Sequence, residues 1–247
     1  MEERGVGLPG PIEAAWGLRE RPAKGPRPGL SLDRIVEAGT KVADAEGLAA
    51  VSMGRVASEL GSSAMSLYRY VTSKDELLAL MVDAAAHPVP EIDPGMGWRA
   101  GLECWAWAER DMYKRHPWIL RIPISGPPAL PGQIAWLERG LAALGGTPLE
   151  AGEKLSIILL LTGYVRNAAM LEADIGEVLR SGDQSALELM TGYGRILRRL
   201  TDAARYPALH AVIDAGVFEA EEEPDDDFIF GLARIMDGID ALIRTRN

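Results

Sequence analysis

GSSAMSLYRYVTSKDEL, residues 61–77, places Ser62, Ser63, Ser66, Tyr68, Arg69 and Tyr70 in one short run and then opens a new helix at Ser73. A core helix is not this polar, and a solvated helix has little use for two tyrosines. Upstream, Ser52 caps a short helix with Val56, Ala57 and Leu60 facing inward, and Gly61 stops it. A second short helix follows over 64–71, so the pair flanks the turn Gly61-Ser62-Ser63. Two short helices joined by a tight turn form a helix-turn-helix, whose second helix enters a DNA major groove. Its first residues, Ser63, Ala64, Met65 and Ser66, then meet base edges, being small or flexible enough for close approach. Tyr68 and Tyr70 offer hydroxyls to phosphates, and Arg69 and Lys74 offer charge. The N–H groups after Ser73, like those after Ser52, add anion sites.

Working outward, Ser31 caps a helix carrying Leu32, Ile35, Val36, Ala38, Val42 and Ala43 at helical spacing and ending near Gly47. Ser73-Lys74-Asp75-Glu76 reads as a capping box that opens a helix through Leu77, Leu80 and Met81. The segment from His87-Pro88 through PVPEIDPGMG ends it and marks a domain junction. The expected organisation is a flexible basic arm over 1–29, with a short helical turn near 11–18, a DNA-binding domain over 30–87, and a helical domain over 88–247. The fold class is all-α, since the remainder shows no period-two strand.

In that remainder Trp98, Leu102, Trp105 and Met112 share a helix face ending before His116-Pro117. A helix follows over 133–144, and Thr147-Pro148-Leu149-Glu150 reads as a second capping box with proline at the first helical position. The helix it opens is apolar nearly all round through Leu161, which places it at the middle of its domain. Further helices are expected over 184–204 and, after the acidic EAEEEPDDD, from Phe228 onward. Phe228, Leu232, Ile235, Ile239 and Leu242 recur with a near-heptad period beside Gly231 and Gly238, which fits either a core face or a dimer seam.

Composition bounds the function. The net charge is −10, yet residues 1–87 hold 10 Lys/Arg against 12 Asp/Glu while residues 88–247 hold 16 against 24, so most of the excess acid lies outside the first part. The single Cys104 excludes an internal disulfide and fits a reducing compartment. The N-terminus lacks the apolar stretch of a signal peptide, and SIILLL (156–161) is far shorter than a membrane span, so a soluble cytoplasmic protein is expected.

The fuller string carries a resemblance. Ile35-Val36, Ala43 to Leu48 with its Glu46-Gly47-Leu48 turn, Ala57-x-Glu59-Leu60-Gly61, Leu67-Tyr68-x-Tyr70-Val71 and Lys74-x-x-Leu77 agree in order and spacing with the DNA-binding domain of TetR-family transcriptional regulators. The resemblance spans about 30–86 and is closest to the branch of the tetracycline repressor. It implies phosphate contacts at Ser52, Tyr68, Tyr70 and Lys74, and base contacts from Ala64, Met65 and Ser66 with Arg55 a neighbour. Tyr70 stands where the family often has histidine, and Met53 where the tetracycline repressor has a base-reading arginine, so the operator sequence does not carry over.

The resemblance also implies a homodimer on a near-palindromic operator, with a small-molecule effector site in the C-terminal helices. The dimer faces are assigned to the helices over 148–171 and 228–244, packed as a four-helix bundle. Pocket candidates are Trp105, Met112, Trp118, Trp136, Thr162, Arg166, Asn167, Met170 and Tyr193, although a tryptophan at helical spacing also serves a core. No cofactor or metal is expected: His87, His116 and His210 lack ligand spacing, and no nucleophile–base or phosphate-loop signature occurs. A helical small-molecule-binding protein or enzyme that does not act on DNA is the alternative reading.

The arm RERPAKGPRPG, residues 19–29, carries Arg21, Lys24 and Arg27, and is either a solvated tail or a tracker of phosphates and the adjacent minor groove. On the second reading, deleting residues 1–28 weakens DNA binding and flattens the dependence of log affinity on log salt. An unchanged slope removes the arm from the mechanism.

Overall fold

The computed structural model describes residues 8–18, 30–124, 126–182, 184–221, 223 and 225–246, and every regular element among them is helical. A short helix α1 (Gly10–Ala15) stands where a helical turn is expected in the arm. Four serines then start four helices by the same local chemistry: each side chain accepts the N–H three residues on, satisfying a donor the helix cannot. Ser31 opens α2 (Leu32–Glu46), Ser52 opens α3 (Met53–Glu59), Ser63 opens α4 (Ala64–Leu67) and Ser73 opens α5 (Lys74–Ala85). Glu76 does not return to the N–H of Ser73. Its carboxylate accepts from the backbone N–H of Thr72 at 2.7 Å and from the Thr72 hydroxyl, one residue further back.

The apolar stripes of these helices converge, with Ile35, Val42, Val56, Leu67, Val71, Leu77 and Met81 all buried. Gly39 lets α2 and α5 close up, since a Cβ there would meet the Met81 sulfur at 2.7 Å. The second helix of the motif is shorter than the 64–71 expected. It ends at Leu67, and the N–H groups of Tyr70 and Val71 both reach the Leu67 carbonyl in a turn. Burial of Val71 and a bond from the Tyr70 hydroxyl to the Leu30 carbonyl, 3.2 Å, draw the chain off the helical path.

Beyond His87-Pro88 come α6 (Gly97–Arg115), a 3-10 turn Pro117–Arg121, α7 (Pro131–Ala143), α8 (Ala151–Ser181), α9 (Ala186–Leu200), α10 (Pro207–Asp214) and α11 (Asp226–Arg244). The capping box expected at Thr147 does not form. The Thr147 hydroxyl donates back to the Leu144 carbonyl at 2.7 Å, and α8 begins only at Ala151. The side chain thus closes the end of α7 rather than opening α8.

Nor does α8 sit at the middle of the domain. Ile157, Ile158, Leu161, Val165 and Ala169 are buried, while Leu155, Leu159 and Leu160 face outward with more than half of their surface accessible. By length and composition α8 is also apolar enough to cross a membrane, which the six residues SIILLL alone do not disclose. On α11 the buried stripe is Phe228, Leu232, Met236, Ile239 and Ile243; Ile235 and Leu242, expected on it, are half-buried at its border. The helix keeps the 3.6-residue period rather than a heptad.

By contacts the chain forms two compact units, one of residues up to Ala169 together with Gly238 onward, the other Met170–Asp237. In the second, a capping box at Ser185 and Glu188 starts α9, whose Gly194 leaves no room for a Cβ against Phe218. Arg198 pairs with Asp214 of α10 at 2.8 Å. In the first, Arg246 pairs with Glu153 at 2.5 Å, tying the chain end to the start of α8.

Candidate nucleic-acid interface

The turn between α3 and α4 depends on Gly61, whose φ of +58° is a left-handed conformation that side chains resist. The Gly61 N–H donates to Ser58 and that of Ser62 to Ala57, at 3.1 and 2.8 Å, closing the carbonyl end of α3. Ser63 then fixes the start of α4: its Oγ accepts the Ser66 N–H at 3.3 Å and lies 2.9 Å from the Ser66 hydroxyl. With Leu67 buried beneath, the rest of the segment looks outward. Met65 is 76% exposed, Tyr68 and Arg69 are exposed, and Ser62, Ala64 and Ser66 are half-buried. Ser52 and Lys74 are exposed at the starts of α3 and α5.

Two of the expected contact residues are engaged within the chain. Arg55 is clamped between Glu46 at 2.6 Å and Glu59 at 3.0 Å, so its guanidinium braces α3 against α2 rather than standing free beside the bases. Lys41 joins the same cluster at 2.7 Å from Glu59, and Lys41 followed by Arg55 hold the Glu59 carboxyl below its ordinary range. Tyr70, half-buried, spends its hydroxyl hydrogen on Leu30, at the root of the arm. Arg21, Lys24 and Arg27 lie outside the described residues.

Residues 30–87 are joined to the helices after residue 88 by two carboxylates. Asp83 of α5 accepts the N–H of Gly132 at 2.8 Å and of Gln133 at 3.4 Å, at the start of α7. A Cβ on Gly132 would lie 2.8 Å from the Asp83 carbonyl, so only glycine fits this approach. Asp44 of α2 meets the Trp118 indole N–H at 2.6 Å and the His116 ring at 2.8 Å, both at the 3-10 turn after α6. Trp136 adds a bond to the Ala86 carbonyl at 2.5 Å.

Among the pocket candidates, Trp105, Trp118 and Trp136 are buried with every indole N–H bonded, that of Trp105 to the Trp136 carbonyl at 3.0 Å. Met112 is buried, Thr162 half-buried and Asn167 exposed. Arg166 reaches from α8 to the carbonyls of Leu120 and Ile122 at 3.1 and 3.0 Å and lies over the Tyr113 ring. Met170 and Tyr193 belong to the second unit, where Tyr193 packs edge-on against Phe218. Sequence reasoning passed over the polar group that shares the core with these residues, Glu109 and Tyr113. The Tyr113 hydroxyl donates to Glu109 at 3.2 Å, and burial pushes the Glu109 carboxyl up to about 8. Their four-residue spacing on the Trp105 stripe was the available signal. No cluster of three or more His, Cys, Asp or Glu suited to a metal occurs among the described residues.

Residues 35–81 match the family model "Bacterial regulatory proteins, tetR family", and residues 90–243 match "Tetracyclin repressor-like, C-terminal domain". The chain belongs to the TetR family. It is therefore a ligand-responsive, DNA-binding regulator of transcription. The HTH-type transcriptional repressor DrrR1 of Streptomyces coeruleorubidus is 40% identical over 95% of this chain and 86% of its own length. An HTH-type transcriptional regulator of Saccharopolyspora erythraea is 29% identical over 73% of this chain and 75% of its own. The crystal structure of the TetR-family protein ActR of Streptomyces coelicolor in complex with actinorhodin superposes with a TM-score of 0.71 at 29% identity, over 88% of this chain and 98% of that one.

The buried acid has a consequence for stability. Its carboxyl is raised from an ordinary 4.5 to about 8, so the folded protein keeps a proton that the unfolded chain releases. Stability therefore falls as pH rises from about 4.5 to about 8 and levels off above. Denaturant titrations across this range should show the fall in the wild type and a flatter profile in Glu109→Gln. The difference is on the order of a few kcal/mol.

Proposed function

We propose that this regulator is a cytoplasmic repressor that binds a near-palindromic operator as a homodimer and leaves it when a small molecule occupies the C-terminal helices. Residues 30–87 serve as the DNA-binding domain and 88–247 as the effector-binding and dimerisation domain. The observation that carries the reading is the exposure of Met65 beside Tyr68 and Arg69, at the head of a helix that Ser63 and Gly61 hold rigidly outward. A large apolar side chain presented so openly beside cations and hydroxyls suits a groove floor with phosphate walls. Ser63, Ala64, Met65 and Ser66 read bases, while Ser52, Tyr68, Arg69 and Lys74 hold phosphates.

The outward face of α8, with Leu155, Leu159 and Leu160 beside Ser156 and Gly163, supports a two-fold seam completed by α11. A helix apolar on both sides is stable in water only if both are covered. A second copy covers the outer one, and Arg166 mid-helix with Lys154 and Glu172 toward its ends suits that partner better than lipid.

DNA selected from random duplexes should return an inverted repeat whose half-sites lie about one helical turn apart. On that duplex Lys74→Ala should weaken binding to all sequences alike and lower the salt slope by about one. A protein that stays monomeric, or enriches no inverted repeat at low salt, does not have this function.

Release requires a link from effector to reading head. The contacts Arg166 to Leu120 and Ile122, then Trp118 to Asp44, supply one through the 3-10 turn. An effector favouring the released form about 100-fold supplies roughly 2.7 kcal/mol of coupling. Trp118→Phe keeps an aromatic side chain in the buried site and removes the N–H bond to Asp44. It should leave operator affinity within about threefold while cutting effector-driven release about tenfold, each a matter of one lost hydrogen bond. Operator titrations with the compound that displaces the wild type measure both.

A further inference from the structure

The segment that precedes the DNA-binding domain has a structure of its own. Helix α1 starts with Pro11 in its first turn and has a defined stop. The Gly17 N–H donates to the Ala14 carbonyl at 3.2 Å and the Leu18 N–H to the Glu13 carbonyl at 2.8 Å, with Gly17 at a φ of +65°. Six residues that bury no side chain do not hold a helix in water by themselves. Contacts elsewhere hold this one. It lies against α5, and Ala14 and Ala15 line, with Val36, Leu80 and Ala84, a cleft of about 830 Å³ on α2 and α5. From the turn that closes the helix, the Trp16 indole N–H donates to the Ala129 carbonyl at 2.8 Å, 113 residues further along the chain. Ala129 belongs to the stretch that enters α7, just before the Gly132 N–H that Asp83 accepts. The N-terminal segment thus spans α5 and the entry of α7.

We infer that Trp16 is a positioning residue for operator recognition: α1 straps α5 to the entry of α7 and so narrows the range of half-site spacings that the dimer accepts. This rests on the reading that the protein grips an inverted repeat as a homodimer through α8 and α11. In such a dimer the C-terminal helices hold each other across the seam. Each DNA-binding domain is then held to them by the polar joints that Asp44, Asp83, Trp136 and Trp16 make. One base pair added between the half-sites moves one of them about 3.4 Å along the duplex and turns it about 35° around the axis. A loose joint follows that displacement at little cost. A stiff joint follows it only by breaking its own bonds or by giving up contacts to the bases. The strap works without charge. Both partners of its bond are neutral, so it neutralises no phosphate and adds nothing to the salt dependence of binding.

Three duplexes test this on the full chain: the inverted repeat returned by selection from random DNA, and the same repeat with one base pair inserted or removed at its centre. The wild type should prefer the selected spacing by about tenfold or more. Trp16→Phe keeps a ring at the turn and removes the donor, and at 48% exposure the change leaves the core intact. It should cut the spacing preference about fivefold, the worth of one hydrogen bond, and leave the salt slope on the selected duplex as it was. Deletion of residues 1–18, which removes the whole strap, should cut the preference at least as far. General loss of stability lowers the active fraction for all three duplexes alike, so the ratio between them reads the strap alone. A preference kept in both variants, a wild type indifferent to spacing, or a salt slope that flattens in Trp16→Phe overturns the inference and leaves the repressor reading intact. A wild type that enriches no inverted repeat overturns both.

Discussion

Asp44 and Asp83 reach from α2 and α5 to the helices that follow, and with Trp136 they make the polar joints between residues 30–87 and the turn after α6 and the start of α7. Asp83 sits on the amino end of α7, where unpaired N–H groups welcome a carboxylate. Asp44 gathers an indole N–H and an imidazole at the turn after α6. Both joints are directional. Apolar contact alone tolerates sliding, whereas a carboxylate shared between two donors loses its bonds when either element shifts by an ångström or two. A helix of four residues such as α4 has no rigidity of its own. Its aim is set by the turn at Gly61 and Ser63 and by Leu67, buried in the core that α2, α3 and α5 share.

The same economy governs α8. Its inner face packs against α6 and carries Arg166 toward the 3-10 turn, while its outer leucines stay uncovered in one chain. A single helix thus carries both the seam of the proposed dimer and the Arg166 link to the 3-10 turn. On the proposed function, a ligand that displaces α8 would change the spacing between two reading heads, which would convert a local event into a change in operator affinity.

Much of this was written locally in the sequence. Ser31, Ser52, Ser63 and Ser73 announce their helices because a cap needs only its own next three residues. Gly61 and the spacing around it gave the motif for the same reason. The misreadings lie where distant partners choose between local options. Thr147 before Pro148 fits a helix start, yet its hydroxyl found the end of α7 closer. Arg55 looked free until Glu46 and Glu59 came beside it from two helices. Helix α10 escaped notice because eight residues after a proline give too little periodicity. Glu109 was overlooked because an acid is ordinarily assigned to the solvated side of a helix, although its four-residue spacing from Trp105 places it on the buried face.

An acidic protein that grips a polyanion needs its charges sorted, and the Lys41, Glu59, Arg55 and Glu46 cluster does this at short range. Three of the pairs lie between 2.6 and 3.0 Å, so the acids of α2 and α3 nearest the reading head are neutralised by cations of the same helices. That leaves Arg69 and Lys74 as exposed cations on the segment that faces outward. The remaining acid belongs largely to residues 88–247, and charges more than about 8 Å away are strongly screened at physiological salt. Net charge therefore says little about DNA binding here. The local arrangement of exposed hydroxyls and cations on the outward segment carries it.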